Sequence, residues 1–119
     1  MTGRKPAELL PLPAAWLHVL VALSGGELHG YAIMSEVERL TDGVVTMGPG
    51  TLYGTLKRLH SQGLVEESEG PAEAESEGPA RRYYRLTGFG ERVLAAETAR
   101  LSNLIHAASR GAVPSEGTS

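Results

Sequence analysis

The chain of 119 residues contains no cysteine. That absence removes disulfides, thiolate metal ligands and cysteine nucleophiles together, so packing or burial against a partner must hold the fold. Long apolar runs are missing as well: the longest, Ala14 to Leu23, is interrupted by His18 and falls short of the roughly 20 residues a membrane span needs. Met-Thr-Gly-Arg-Lys-Pro at the start lacks the apolar core of a signal peptide. The expectation is a soluble, cytoplasmic, single-domain protein without membrane contact. Catalytic groupings are absent too. His18, His29, His60 and His106 stand far apart with no carboxylate at ligand spacing, and no nucleophile elbow or glycine-rich phosphate loop occurs. Neither enzyme activity, nor a cofactor, nor a metal site is expected.

Charge is present but unevenly placed. The total is −3, with 14 acidic and 11 basic residues. Six glutamates (Glu66, Glu67, Glu69, Glu73, Glu75, Glu77) fall between residues 66 and 80, where no Lys or Arg occurs. The other residues therefore carry 11 basic against 8 acidic groups, and an acidic total hides a basic body.

Residues 1–13 contain three prolines and read as a flexible arm. A helix from about Ala14 to Ser24 follows, with Leu17, Leu20 and Val21 at helical spacing, and Gly25-Gly26 stops it. Ile33, Val37 and Leu40 mark a second helix after His29-Gly30, and Leu52, Leu56 and Leu59 a third, closed by Gly63. Leu64 to Glu67 and Arg81 to Leu86 read as two strands of a hairpin. Their connection, the acidic loop 67–80, holds a direct repeat: Glu-Ser-Glu-Gly-Pro-Ala stands at 67–72 and again at 75–80. With almost nothing apolar to bury, the loop is expected to be mobile. Thr87 is the expected N-cap of a last helix, 87–110, before a disordered tail at 111–119. On that helix Leu94, Leu101, Ile105 and Ala108 form one stripe with Val93, Leu104 and Ala107 beside it. The surface is wider than one small domain can cover, and a second copy's helix is its nearest cover. A homodimer is expected, with Leu94, Leu101, Leu104, Ile105 and Ala108 at its interface.

Three helices and a β-hairpin make a mainly α fold with a small β wing, the order of a winged helix-turn-helix with a C-terminal dimerisation helix appended. The DNA-binding part would be residues 14–86. Specific stretches narrow this: Leu28-His29-Gly30-Tyr31-Ala32-Ile33, Gly48-Pro49-Gly50-Thr51-Leu52-Tyr53, Leu56-Lys57-Arg58-Leu59 with Gly63-Leu64-Val65, and Arg82-Tyr83-Tyr84-Arg85-Leu86-Thr87. Together they resemble the PadR family of bacterial transcriptional regulators over roughly residues 16–110. The resemblance implies a dimeric repressor that binds double-stranded DNA, is dimerised by its last helix and is often relieved by a small aromatic or cationic effector. It also implies that Trp16, the one tryptophan, stacks on such a ligand. Two departures stand out, one being the lengthened acidic wing tip, which argues against a contact by the wing's apex, and the other the start of the last helix. Where the family usually reads Leu-Thr-Pro-Glu-Gly, this chain has Leu86-Thr87-Gly88-Phe89-Gly90, and two glycines are expected to weaken the first helical turn by about 1 kcal/mol each relative to Ala.

The residues themselves support a DNA-reading surface. With Leu56 taken as the centre of the inward face, Thr51, Gly54, Thr55 and Arg58 point outward, with Tyr53 and Lys57 on a flank. That small polar side suits a major groove about 12 Å wide. Pro49 and Gly50 open the helix, and its free amides can meet phosphate; Gly30 and Tyr31 at the second helix are placed to do the same. Arg81 and Arg82, at the base of the wing, are the expected backbone contacts from the hairpin. The rival expectation is a winged-helix module that binds protein and has no affinity for DNA.

Overall fold

The computed structural model describes residues 4–71 and 82–112; Arg81, most of the acidic loop and the tail from 113 lie outside the described residues. Its elements are α1 (Ala14–Leu23), β1 (Leu28–His29), α2 (Gly30–Leu40), α3 (Pro49–Ser61), β2 (Val65–Ser68), β3 (Tyr83–Leu86) and α4 (Gly88–Ala107). A 3-10 helix at Pro6–Leu9 precedes them, and a π-helical turn at Ala108–Ala112 follows. This is the expected helix order with one strand more. β1 pairs antiparallel with β3, Leu28 opposite Tyr84, so β3 lies in the middle of a three-stranded sheet. On its other side β2 completes the hairpin, Glu67 opposite Tyr84 and Ser68 opposite Tyr83.

Local chemistry sets the boundaries. His29 caps α2 through its ring: Ala32 N donates to His29 Nδ1 at 3.1 Å. Pro49, without an amide hydrogen to lose, opens α3, and Leu64 N closes it by donating to Leu59 O at 2.9 Å. Thr87 caps α4 as expected, accepting from Gly90 N at 2.9 Å, while its hydroxyl donates to Gly63 O at 2.6 Å. The core under these elements is aliphatic. Val19, Leu20, Leu23, Ile33, Val37, Leu52, Leu56, Leu59, Leu64, Val65 and Val93 are all buried, with Tyr84 the aromatic among them.

One expectation is corrected here. The arm is not loose over residues 6–12: Leu12 is buried, and its amide donates to the buried Glu97 carboxylate on α4 at 3.0 Å. Of the prolines that look like linker punctuation, Pro6 opens the short 3-10 helix that packs along α4. The two glycines of α4 also do different things. A Cβ on Gly90 would stand 2.0 Å from Leu64 O, so a hydrogen there lets α4 lie directly on the turn after α3, whereas a Cβ on Gly88 would meet nothing closer than Arg92 at 3.6 Å. Phe89 between them packs against the core, with the Arg4 guanidinium 5.0 Å from its ring centre.

Candidate nucleic-acid interface

Helix α3 buries Leu52, Thr55, Leu56 and Leu59. That spacing is a full i, i+3, i+4, i+7 face, and it corrects the expected placement of Thr55. Centring the inward face on Leu56 alone rotates it too far; its true middle lies between Leu52 and Leu59, which carries Thr55 inward to 2% exposure. The same rotation brings Lys57 from the flank toward the middle of the outer side. Gly50, Thr51, Tyr53, Lys57 and Arg58 are exposed there. Gly54 lies between them, and a Cβ on it would come within 3.3 Å of Arg58 Nη1, so the guanidinium folds over bare backbone. The outer side of α3 is thus a shallow strip of glycine, hydroxyl and cation.

Beside this strip runs a polar seam formed with the start of α2 and the wing. One hollow of about 320 Å³ is lined by His29, Gly30, Tyr31, Tyr53, Arg82 and Tyr84. A second of about 260 Å³ continues it along α3 past Lys57, His60 and Glu67. The structure therefore brings Gly30, Tyr31, Tyr53 and Arg82 together from three separate segments. Tyr31 is 72% and Tyr53 48% exposed, while Gly30 is buried for a steric reason: a Cβ on it would fall 2.1 Å from the Tyr53 hydroxyl. Tyr53 consequently rests its tip on the first turn of α2.

Strand alternation separates the arginines of the hairpin. Arg82 shares the α3-facing side with Tyr84, and its Nη1 lies 3.7 Å from Glu67. Arg85 faces the other way, bonded to Glu66 at 2.8 Å. Burial, and secondarily the Glu67 carboxylate, pushes the Tyr84 phenol above its ordinary pKa, so it stays a neutral donor at physiological pH. His29, His60, Glu67 and Tyr84 escaped the sequence reading. For His29 and Tyr84 the signal was available: the first adjoins Gly30, and the second stands two residues past Arg82, on the same side of the strand.

On the far side of the sheet a larger open cleft of about 1200 Å³ runs between α1, β3 and α4, with Leu23, Glu27, Arg85, Leu94, Ala95 and Thr98 in its walls. Trp16 is half-buried against the core and does not line it. Along α4, Leu94 and Leu101 are partly covered, but Leu104 and Ile105 are 55% and 66% exposed, and Ala108 is exposed. Among the described residues no cluster of side chains could hold a metal ion, and no helix is long and apolar enough to cross a membrane.

Residues 19–96 match the family described as "Transcriptional regulator PadR-like family". The chain is 36% identical over 102 residues to a 37.1 kDa uncharacterized protein of transposon Tn4556 from Streptomyces fradiae, covering 86% of this chain and 27% of that protein. It is 34% identical to the transcriptional regulator Rv3488 of Mycobacterium tuberculosis, covering 76% of this chain and 78% of the other. Among solved structures, a PadR-like transcription factor from Bacteroides fragilis aligns with a TM-score of 0.65 at 25% identity, over 82% of this chain and 88% of that one. Bacillus subtilis PadR in complex with operator DNA aligns with a TM-score of 0.60 at 17% identity, over 92% and 82%. That last likeness is one of fold.

Proposed function

The chain belongs to the PadR-like family of transcriptional regulators, and from that premise we propose that it is a cytoplasmic, homodimeric repressor that binds duplex DNA at an inverted repeat. One observation carries the reading. The outer side of α3 is open, narrow and cationic, and a donor-lined seam lies directly beside it. Thr51, Gly54 and Arg58 suit base edges in the major groove, where a guanidinium can bridge two acceptors of one guanine. Lys57 and Arg82 suit phosphates, and Tyr31 and Tyr53 offer hydroxyl donors to the backbone beside the α2 N-terminus. The fold is shared with a PadR solved in complex with operator DNA.

The dimer follows from α4. Leu104 and Ile105 need a cover that the described residues do not supply, and a two-fold partner helix supplies it to both copies at once. Two recognition helices about 34 Å apart would then read half-sites one turn apart. The large cleft against α4, with Glu27 and Glu91 at its rim, is where a small cationic or aromatic effector would couple to the dimer. A footprint on DNA upstream of the protein's own coding region tests the reading. Protection of two symmetric half-sites at low salt is expected; no protection there or on random duplex would leave the protein-binding module as the function.

A further inference from the structure

Glu97 is the one charged side chain among the fully buried residues described, at 1% exposure in the middle of α4, and nothing in the DNA-reading surface uses it. Its carboxylate is filled by two partners. Arg100 donates from Nε to Oε1 at 2.6 Å and from Nη2 to Oε2 at 3.0 Å, and the Leu12 amide donates to Oε2 at 3.0 Å. The second partner comes from 85 residues away. Leu12 is itself buried, and Leu9 and Leu10 before it pack against the core. At the other end of this segment Arg4 donates to the Gln62 side chain and to Gln62 O, at the end of α3. Residues 4–12 thus run as a strap from the recognition helix to α4.

The near end of α4 is already fixed. Thr87 N donates to Leu64 O at 3.0 Å, and Gly90 lies on Leu64 without room for a Cβ. Val93, one turn on, is buried in the core as well, so the body holds α4 over its first turns, and a second fixed point further along sets its direction. With a rise of 1.5 Å per residue, Glu97 lies about 10 Å and Ala107 about 26 Å beyond Gly90, so a slip of 1 Å at Glu97 becomes about 2.4 Å at the tip. We propose that Glu97 is a positioning residue: by holding the Leu12 amide it makes the strap the second fixed point that sets the angle of α4 to the DNA-binding body. In the proposed dimer that angle fixes the separation of the two recognition helices and so the half-site spacing. This last step rests on the DNA-binding reading; the setting of the angle does not.

The absence of cysteine permits a direct test. Spin labels at Ser35→Cys on α2 and Asn103→Cys on α4, both exposed positions, report the intrachain distance by pulsed electron resonance once labelled protein is diluted with excess unlabelled chain. A single narrow distribution is expected for the otherwise native chain, and one about twice as wide for Glu97→Ala, given the lever above. Leu12→Ala, which loosens the strap without stranding a buried partner, carries the same test if the first variant folds poorly. An unchanged distribution in a folded variant overturns the proposal. On DNA, Glu97→Ala should flatten the preference between half-sites one turn apart and half-sites shifted by about two base pairs. A purely structural loss would weaken both sites equally, and that result also overturns it. If even the native chain binds no duplex, the DNA reading fails while the distance measurement still decides the role of Glu97.

Discussion

Gly88 and Gly90 open the same helical turn, and replacing each with alanine should move stability in opposite directions. On helix propensity alone both substitutions gain up to about 1 kcal/mol. At Gly88 nothing opposes the gain, because the new Cβ meets only Arg92 Nη1 at 3.6 Å, an ordinary contact with a flexible side chain. Gly88→Ala should therefore stabilise by about 0.5–1 kcal/mol. At Gly90 the Cβ would stand 2.0 Å from Leu64 O and 2.9 Å from Leu64 C. Relief needs a shift of about 1 Å between α4 and the turn after α3, and overpacking of this kind costs about 1–3 kcal/mol. The shift also pulls on the bond from Thr87 N to Leu64 O and on that from the Thr87 hydroxyl to Gly63 O, each worth about 1 kcal/mol. The net for Gly90→Ala is a loss of about 2–4 kcal/mol once the propensity gain is subtracted. Urea unfolding followed by circular dichroism, at one protein concentration for all variants, reads both effects as midpoint shifts. Shifts of the same sign would refute the close approach of α4 to Leu64.

On operator variants, Arg58→Ala should relax preference at particular base pairs, whereas Thr55→Ser should leave preference intact and cost about 0.8 kcal/mol of stability for one buried methyl; competition binding and unfolding measured together check both. Ile105→Glu puts a charge where a partner helix is expected, so sedimentation should show a monomer that keeps its helical content, and a persisting dimer would move the interface elsewhere. Hydrogen bonds from Arg100, aided by the Leu12 amide, hold the Glu97 carboxyl below the usual carboxylate range against the opposing pull of burial. Its stabilising contribution is therefore present above the unfolded value of about 4.3 and is lost as pH falls through the lower folded value. Stability should fall more steeply on acidification in the native chain than in Glu97→Gln; parallel curves measured by urea unfolding would contradict it.

Elements with punctuation were legible in the sequence. Thr87, Gly63 and Pro49 mark helix ends whose chemistry is local, and the leucine spacing of α3 gave its inward face to within part of a turn. Where local signals were weak, the reading slipped. β1 is two residues long and exists because β3 offers it an edge, which no periodicity announces. Thr55 went to the wrong side because one leucine was made the centre of a face that four residues share. In α1, apolar on nearly every side, the spacing did not reveal that Val21 is 37% exposed while Val19 and Leu23 are buried. Glu97 and the strap depend on a contact between residues 12 and 97; an acid inside the apolar stripe of α4 was its only trace. At the interface the residue types were visible, but the joining of Gly30, Tyr53 and Arg82 in one seam is a property of the fold.

The central claim is that the outer side of α3 and the seam beside it meet the phosphates of a duplex. Binding of a fluorescent operator duplex across a salt series tests it most directly. If about six phosphates are contacted, affinity should fall about a thousandfold between 50 and 200 mM salt, and Lys57→Ala should lower the slope by about one ion. No duplex binding at the low end of the series, or a slope that Lys57→Ala leaves unchanged, would contradict it.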